Sequence, residues 1–302
     1  MSTPTRVVGF LVVLGAVFGI ALGVGQAVGP EPEPVRMAHG GHDETSTDAG
    51  SDLPGGLMVS QDGYTFSVAD QRVEPGRDVG VTFTIDGPDG KPVTEYDVEH
   101  EKRLHLIAVR RDFTGFQHVH PVLGSDGVWS TRLDLSPGQW RLFADFKATD
   151  DDALTLGADL AVDGDYRPEP PAHEVRTAQV DGYTVTLDGD LTAGQDAKLT
   201  LDVSRDGKPV ADLQPYLGAY GHLVALRSGD LAYLHVHPDG APGDGTTEPG
   251  PEIVFHAAVP SEGTYHLYLD FRHDGVVRTA AFTVSAGEAE HGKEEPSDGH
   301  GH

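Results

Sequence analysis

Leu104-His-Leu-Ile-Ala-Val-Arg110 and Gly221-His-Leu-Val-Ala-Leu-Arg227 stand 117 residues apart and read as the same short strand. Each is rich in branched aliphatic residues, too short for an ordinary helix, and followed by turn residues. Each also precedes a histidine pair: His118-Val-His120-Pro121 after the first, His235-Val-His237-Pro238 after the second. Upstream, Asp89-Gly-Lys-Pro-Val93 recurs as Asp206-Gly-Lys-Pro-Val210. Aligned without a gap, residues 89–121 and 206–238 share 13 of 33 positions. The chain therefore carries a duplicated unit.

Around these repeats, the first copy shows alternating runs at Tyr64–Val68, Val79–Ile85, Phe116–His120, Trp129–Leu135 and Trp140–Phe146. Turn signals separate them, and no long stretch has helical period. About 105 residues per copy in this pattern predict an all-β fold of two tandem immunoglobulin-like β-sandwich domains. A cupredoxin-like Greek key is the second expectation. Glu262-Gly-Thr-Tyr265-His-Leu267 resembles the tyrosine corner of such sandwiches, whereas the first copy has Gly138-Gln-Trp140 there and lacks the hydroxyl.

The 302 residues divide by composition. Residues 1–28 hold the uncharged run Val7–Val28, long enough at ~1.5 Å per residue to cross a bilayer. Arg6 before it and the acidic flank after it predict one transmembrane helix with the rest of the chain outside the cell. Cleavage near Gly25-Gln26-Ala27, as a signal peptide, would instead make the protein secreted. Residues 29–56 read as a linker containing His39-Gly-Gly-His42, 57–163 as the first sandwich, and 164–178 as a Pro-rich linker. Residues 179–286 read as the second sandwich, and 287–302 as an acidic tail ending His300-Gly-His302.

A net charge of −27 argues against nucleic acid as a partner and favours cations. Cysteine is absent and methionine numbers three, so thiolate sites are excluded and thioether sites for Cu(I) disfavoured. Histidine numbers 16, and six fall in the pattern H-x12-H-x-H-P: His105, His118 and His120, then His222, His235 and His237. On a strand, positions i and i+2 share a face. A hairpin with a four-residue turn pairs Arg111 with Phe116, setting Val109 opposite His118 and Ile107 opposite His120. His105 then shares their face, and an even shift of register preserves this. Three neutral imidazoles on one patch suit Zn²⁺ or Cu²⁺. This ligand topology looks like the zinc site of α-class carbonic anhydrases, a resemblance confined to ligand arrangement. The competing reading makes these histidines structural. Asp145 and Asp270 occupy matching places, as fourth ligands or, in the preferred reading, as solvated strand carboxylates; His100, His266 and His273 read as surface residues.

The H-x12-H-x-H-P blocks, with Leu104–Arg110 and Gly221–Arg227 around them, resemble a family of bacterial envelope proteins, often actinobacterial, labelled as secreted or heavy-metal-associated. That resemblance implies an extracytoplasmic location. The first expectation is an extracytoplasmic copper- or zinc-binding protein with one three-histidine site per domain. The second is a tandem adhesion or interaction module of the envelope, its partner unspecified. No Glu or Ser at motif spacing presents itself as base or nucleophile, so a metalloenzyme ranks last.

Overall fold

The computed structural model describes residues 53–169, 173–234 and 236–288. The hydrophobic run Val7–Val28, the linker and tail histidines, and His235 lie outside these residues. Among the described residues every regular element is a strand. The first sandwich comprises β1 (Ser60–Gln61), β2 (Tyr64–Val68), β3 (Arg72–Val73), β4 (Gly76–Asp86), β5 (Leu104–Arg110), β6 (Gln117–Val119), β7 (Val122–Leu123), β8 (Trp129–Leu135), β9 (Gly138–Lys147) and β10 (Ala153–Val162). In the second are β11 (Thr177–Val180), β12 (Tyr183–Asp188), β13 (Leu191–Thr192), β14 (Gln195–Arg205), β15 (Lys208–Pro209), β16 (Gly221–Arg227) and β17 (Tyr233–Leu234). It is completed by β18 (Val236–Pro238), β19 (Glu252–Val259), β20 (Gly263–His273) and β21 (Val276–Gly287).

Sheet order in the first sandwich is β1-β2-β4-β8-β7 against β3-β10-β9-β5-β6. The second repeats it as β11-β12-β14-β19-β18 against β13-β21-β20-β16-β17. In each, a short early strand joins the last strand in parallel, β3 on β10 and β13 on β21, while the other pairings are antiparallel. This division of strands is immunoglobulin-like, and it sets the cupredoxin-like alternative aside.

Alternation along the strands fills each core. Leu104, Leu106 and Ala108 of β5, with Leu142 and Ala144 of β9, point into the first sandwich beside Trp129 and Trp140. Leu223 and Ala225 of β16, with Leu267 and Leu269 of β20, do the same in the second. At the corner, Tyr265 donates its hydroxyl to the Ser261 carbonyl at 2.7 Å. The first copy meets the same need with a different donor: Trp140 Nε1 donates to the Ser136 carbonyl at 2.9 Å.

The described residues form one compact unit, in which the two sandwiches are docked on each other. Ile107, Val109 and Phe143, on the outer face of the first, pack against Val224, Leu226 and Tyr268 of the second. All six are at most 4% exposed. The contact has an approximate internal symmetry. Phe116 stacks on Tyr268 with centroids 4.0 Å apart, and the equivalent residues Tyr233 and Phe143 meet at 5.7 Å. The Tyr268 hydroxyl donates to the Phe113 carbonyl at 2.7 Å, again across the contact. Before β1, Gly56 (φ +73°) passes the Phe143 ring so closely that a Cβ would lie 2.4 Å from it. The preceding Gly55 accepts a bond from the Tyr233 amide at 2.9 Å.

Candidate metal centre

Register decides which side chains meet. In the first copy Ile107 pairs with His118 and Leu106 with Val119, a shift of two from the expected hairpin. An even shift leaves His105, His118 and His120 on one face, the face that meets the other domain. Behind them, β9 sets Asp145 opposite His105, and β20 sets Asp270 opposite His222.

Docking gathers residues from both domains into one cluster. His105 and His222 stack with centroids 5.5 Å apart at 9°. His118 lies 5.2, 4.9 and 4.7 Å, ring to ring, from His105, His120 and His222. The exposed His100 sits about the edge, 6.1 Å from His105 and 6.0 Å from His222. Two sets present ligand atoms within 4.8 Å of one another: His105, His118 and His120, and His118, His222 and Asp270. The first triad thus lies in one cluster with His222 of the second, whose member His235 is outside the described residues. His237 is exposed; its strand β18 has crossed to the other sheet, where it pairs with His256. It lines, with Glu99, His100, Lys102, Asp145 and Tyr233, a cavity of about 430 Å³ onto which His105 and His222 also open.

Hydrogen bonds fix the tautomers. A backbone carbonyl only accepts, so His105 Nε2, 3.2 Å from the Glu99 oxygen, carries a proton and donates it. His118 Nδ1 likewise donates to Asp270 Oδ2 at 2.8 Å. Thr279 holds that carboxylate from behind, donating to Oδ1 at 2.5 Å. In the neutral rings this leaves lone pairs on His105 Nδ1 and His118 Nε2, which face each other at 3.0 Å. His120 Nε2 and His222 Nδ1 are buried with no hydrogen-bond partner. Ligands around a tetrahedral ion at ~2.05 Å stand about 3.3 Å apart, close to the spacing of the facing nitrogens.

Burial favours the neutral form of His105, His120 and His222. It lowers His105 to about 3, with the neighbouring His118 adding to the effect, and His120 to about 4. His222 falls well below the ordinary range for the same reason. Desolvation raises Asp145 to about 6 although Thr155 donates to it at 2.9 Å.

Asp270 is 3% exposed, which corrects its reading as a solvated carboxylate; Asp145 is half-buried on the cavity wall. Both lie on faces that look outward in a single domain and become interior when the two dock. His266 and His273 are corrected too, at 7% and 8% exposed. His266 stacks on Phe113 of the other domain, and His273 Nε2 donates to Asp212 Oδ1 at 3.0 Å while its Nδ1 meets the Tyr183 hydroxyl at 2.7 Å.

Among solved structures, the chain is similar to FdeC, an adhesin of Escherichia coli, at 18% identity over 76% of this chain and 65% of that one, with a TM-score of 0.26. The adhesin InvE of Yersinia pseudotuberculosis gives 12% identity over 74% of this chain and 59% of that one, TM-score 0.21. The chain thus spans less than two thirds of either. The immunoglobulin-like assignment rests on the strand order itself. No curated protein matches the chain. The sequence profile described as a domain of unknown function, DUF8832, matches residues 59–164 and again 178–288, and the chain belongs to that family.

Proposed function

We propose that this chain is an extracytoplasmic divalent-metal-binding protein, taking copper or zinc at His105, His118 and His120. Its place outside the cell follows from the orientation read for Val7–Val28, which also anchors it in the membrane. One observation carries the metal reading: two buried imidazoles have their tautomers pinned so that lone pairs converge at 3.0 Å. Facing lone pairs repel, and a buried acceptor without a partner costs on the order of 1–3 kcal/mol. A cation between them removes both penalties. His120 supplies a third nitrogen, and Asp270 acts as the outer-sphere carboxylate that orients His118.

A second reading is a tandem immunoglobulin-like adhesion or interaction module of the envelope with structural histidines. A specific feature favours it. One extra proton, on His118 Nε2, turns the 3.0 Å contact into a hydrogen bond and completes a chain from Asp270 through His118 and His105 to Glu99. Metal and proton thus compete for one position.

Elemental analysis and titration of tag-free protein with Cu²⁺ and Zn²⁺ separate the readings. The metal reading expects a tight ion that His118→Ala abolishes, and whose binding weakens as pH falls. Protein that takes up no ion tightly at neutral pH overturns it.

A further inference from the structure

The cluster holds more than the first triad uses. His222 Nδ1 is buried without a partner, and His222 comes from the other domain. With His118 and Asp270 it presents ligand atoms within 4.8 Å of one another. Two of these side chains are sealed from solvent: His118 is 1% and Asp270 4% exposed. Two imidazoles and a carboxylate are a donor set for Zn²⁺ or Cu²⁺.

We propose that His118, His222 and Asp270 form a second ion position, one that bridges the two domains and is filled as an alternative to the first. The inference rests on the metal reading above. His118 is common to both sets, and a neutral imidazole has one ring lone pair. With its proton on Nδ1, bonded to Asp270, Nε2 serves the set with His105 and His120. With the proton moved to Nε2, the 3.0 Å contact to His105 Nδ1 becomes an ordinary hydrogen bond. Nδ1 then faces Asp270 Oδ2 as a lone pair, and an ion joins them. Thr279 keeps its bond to Oδ1 in either state, so Oδ2 is the oxygen free to bind. An ion in this position has ligands on β16 and β20 of one domain and follows β6 of the other, so it ties the domains together.

The intact tag-free chain is dialysed against Cu²⁺ with a weak chelator that masks loose sites, and tight ions are counted. His120→Ala dismantles the first position only and should retain a tight ion. Adding Asp270→Asn to it should weaken that ion by more than about 100-fold, beyond the 10–100-fold typical of a lost supporting hydrogen bond. His222→Gln in the His120→Ala background should do the same, should the Asp270 variant not fold. Circular dichroism in chelator shows which variants are folded. Loss of the ion in His120→Ala alone overturns the proposal, as does an ion indifferent to both further changes. A wild-type chain without a tight ion sinks the metal reading itself, whereas a wild type that binds beside a silent His120→Ala sinks only the bridging position.

Discussion

Leu226→Ala tests the docking of the two domains, on which the shared cluster depends. Leu226 is fully buried, yet it takes no part in the core of its own sandwich and packs only in the interdomain contact. Were the domains separate beads on a linker, it would be a surface residue, and truncation would cost within about 0.5 kcal/mol. Docked as observed, it loses a buried side chain among Ile107, Val109 and Phe143, at about 2–5 kcal/mol. The reporter is built in: the chain's two tryptophans, Trp129 and Trp140, both lie in the first domain, while the substitution is in the second. In a docked pair unfolding as a unit, tryptophan fluorescence in urea registers the change. At a slope of ~3 kcal/mol per molar, the midpoint falls by roughly 1 M. A fluorescence midpoint equal to that of the wild type would refute the docking.

The pH response of the metal-free protein follows from the buried rings. His105, His120 and His266 sit at about 3, 4 and 4 when folded, against ~6.5 in the unfolded chain, so the unfolded state binds more protons below pH 6.5. Their contribution is whole above that pH and is lost as pH falls towards 4. Asp145, raised to about 6, opposes them, its contribution present below its ordinary range and lost as pH rises through 6. Three groups outweigh one, so urea midpoints in chelator should decline from pH 6.5 to 4; a flat or rising profile contradicts the burial of the cluster. Tyr265→Phe removes the corner bond to the Ser261 carbonyl, and with it the 3.4 Å contact to Ser261 Oγ, at about 0.5–1.5 kcal/mol, read as a drop in urea midpoint by circular dichroism.

The sandwiches were legible because the duplicated segments alternate cleanly and the turns between them carry Gly, Pro and Asp. The second face of the sheet is harder to read from sequence. In Leu104-His-Leu-Ile-Ala-Val-Arg110 the residues pointing away from the core are His105, Ile107 and Val109, and all three are buried. Gly221–Arg227 has the same character, with His222, Val224 and Leu226 on that side. A strand apolar on both faces is the mark of a sheet covered on both sides, and this signal was present in both copies. Taken seriously, it predicts a partner for that face, and the duplication supplies one within the chain. His105 and His222 then stop being ligands of two sites and become neighbours. Asp145 and Asp270, on the same face, move from solvent into the contact. What no alternation rule supplies is which residues of the two faces meet, because docking geometry depends on shape: Phe116 against Tyr268, and the glycine that lets the chain pass Phe143. The bond from His118 to Asp270 joins residues 152 positions apart and exists only because those faces fit.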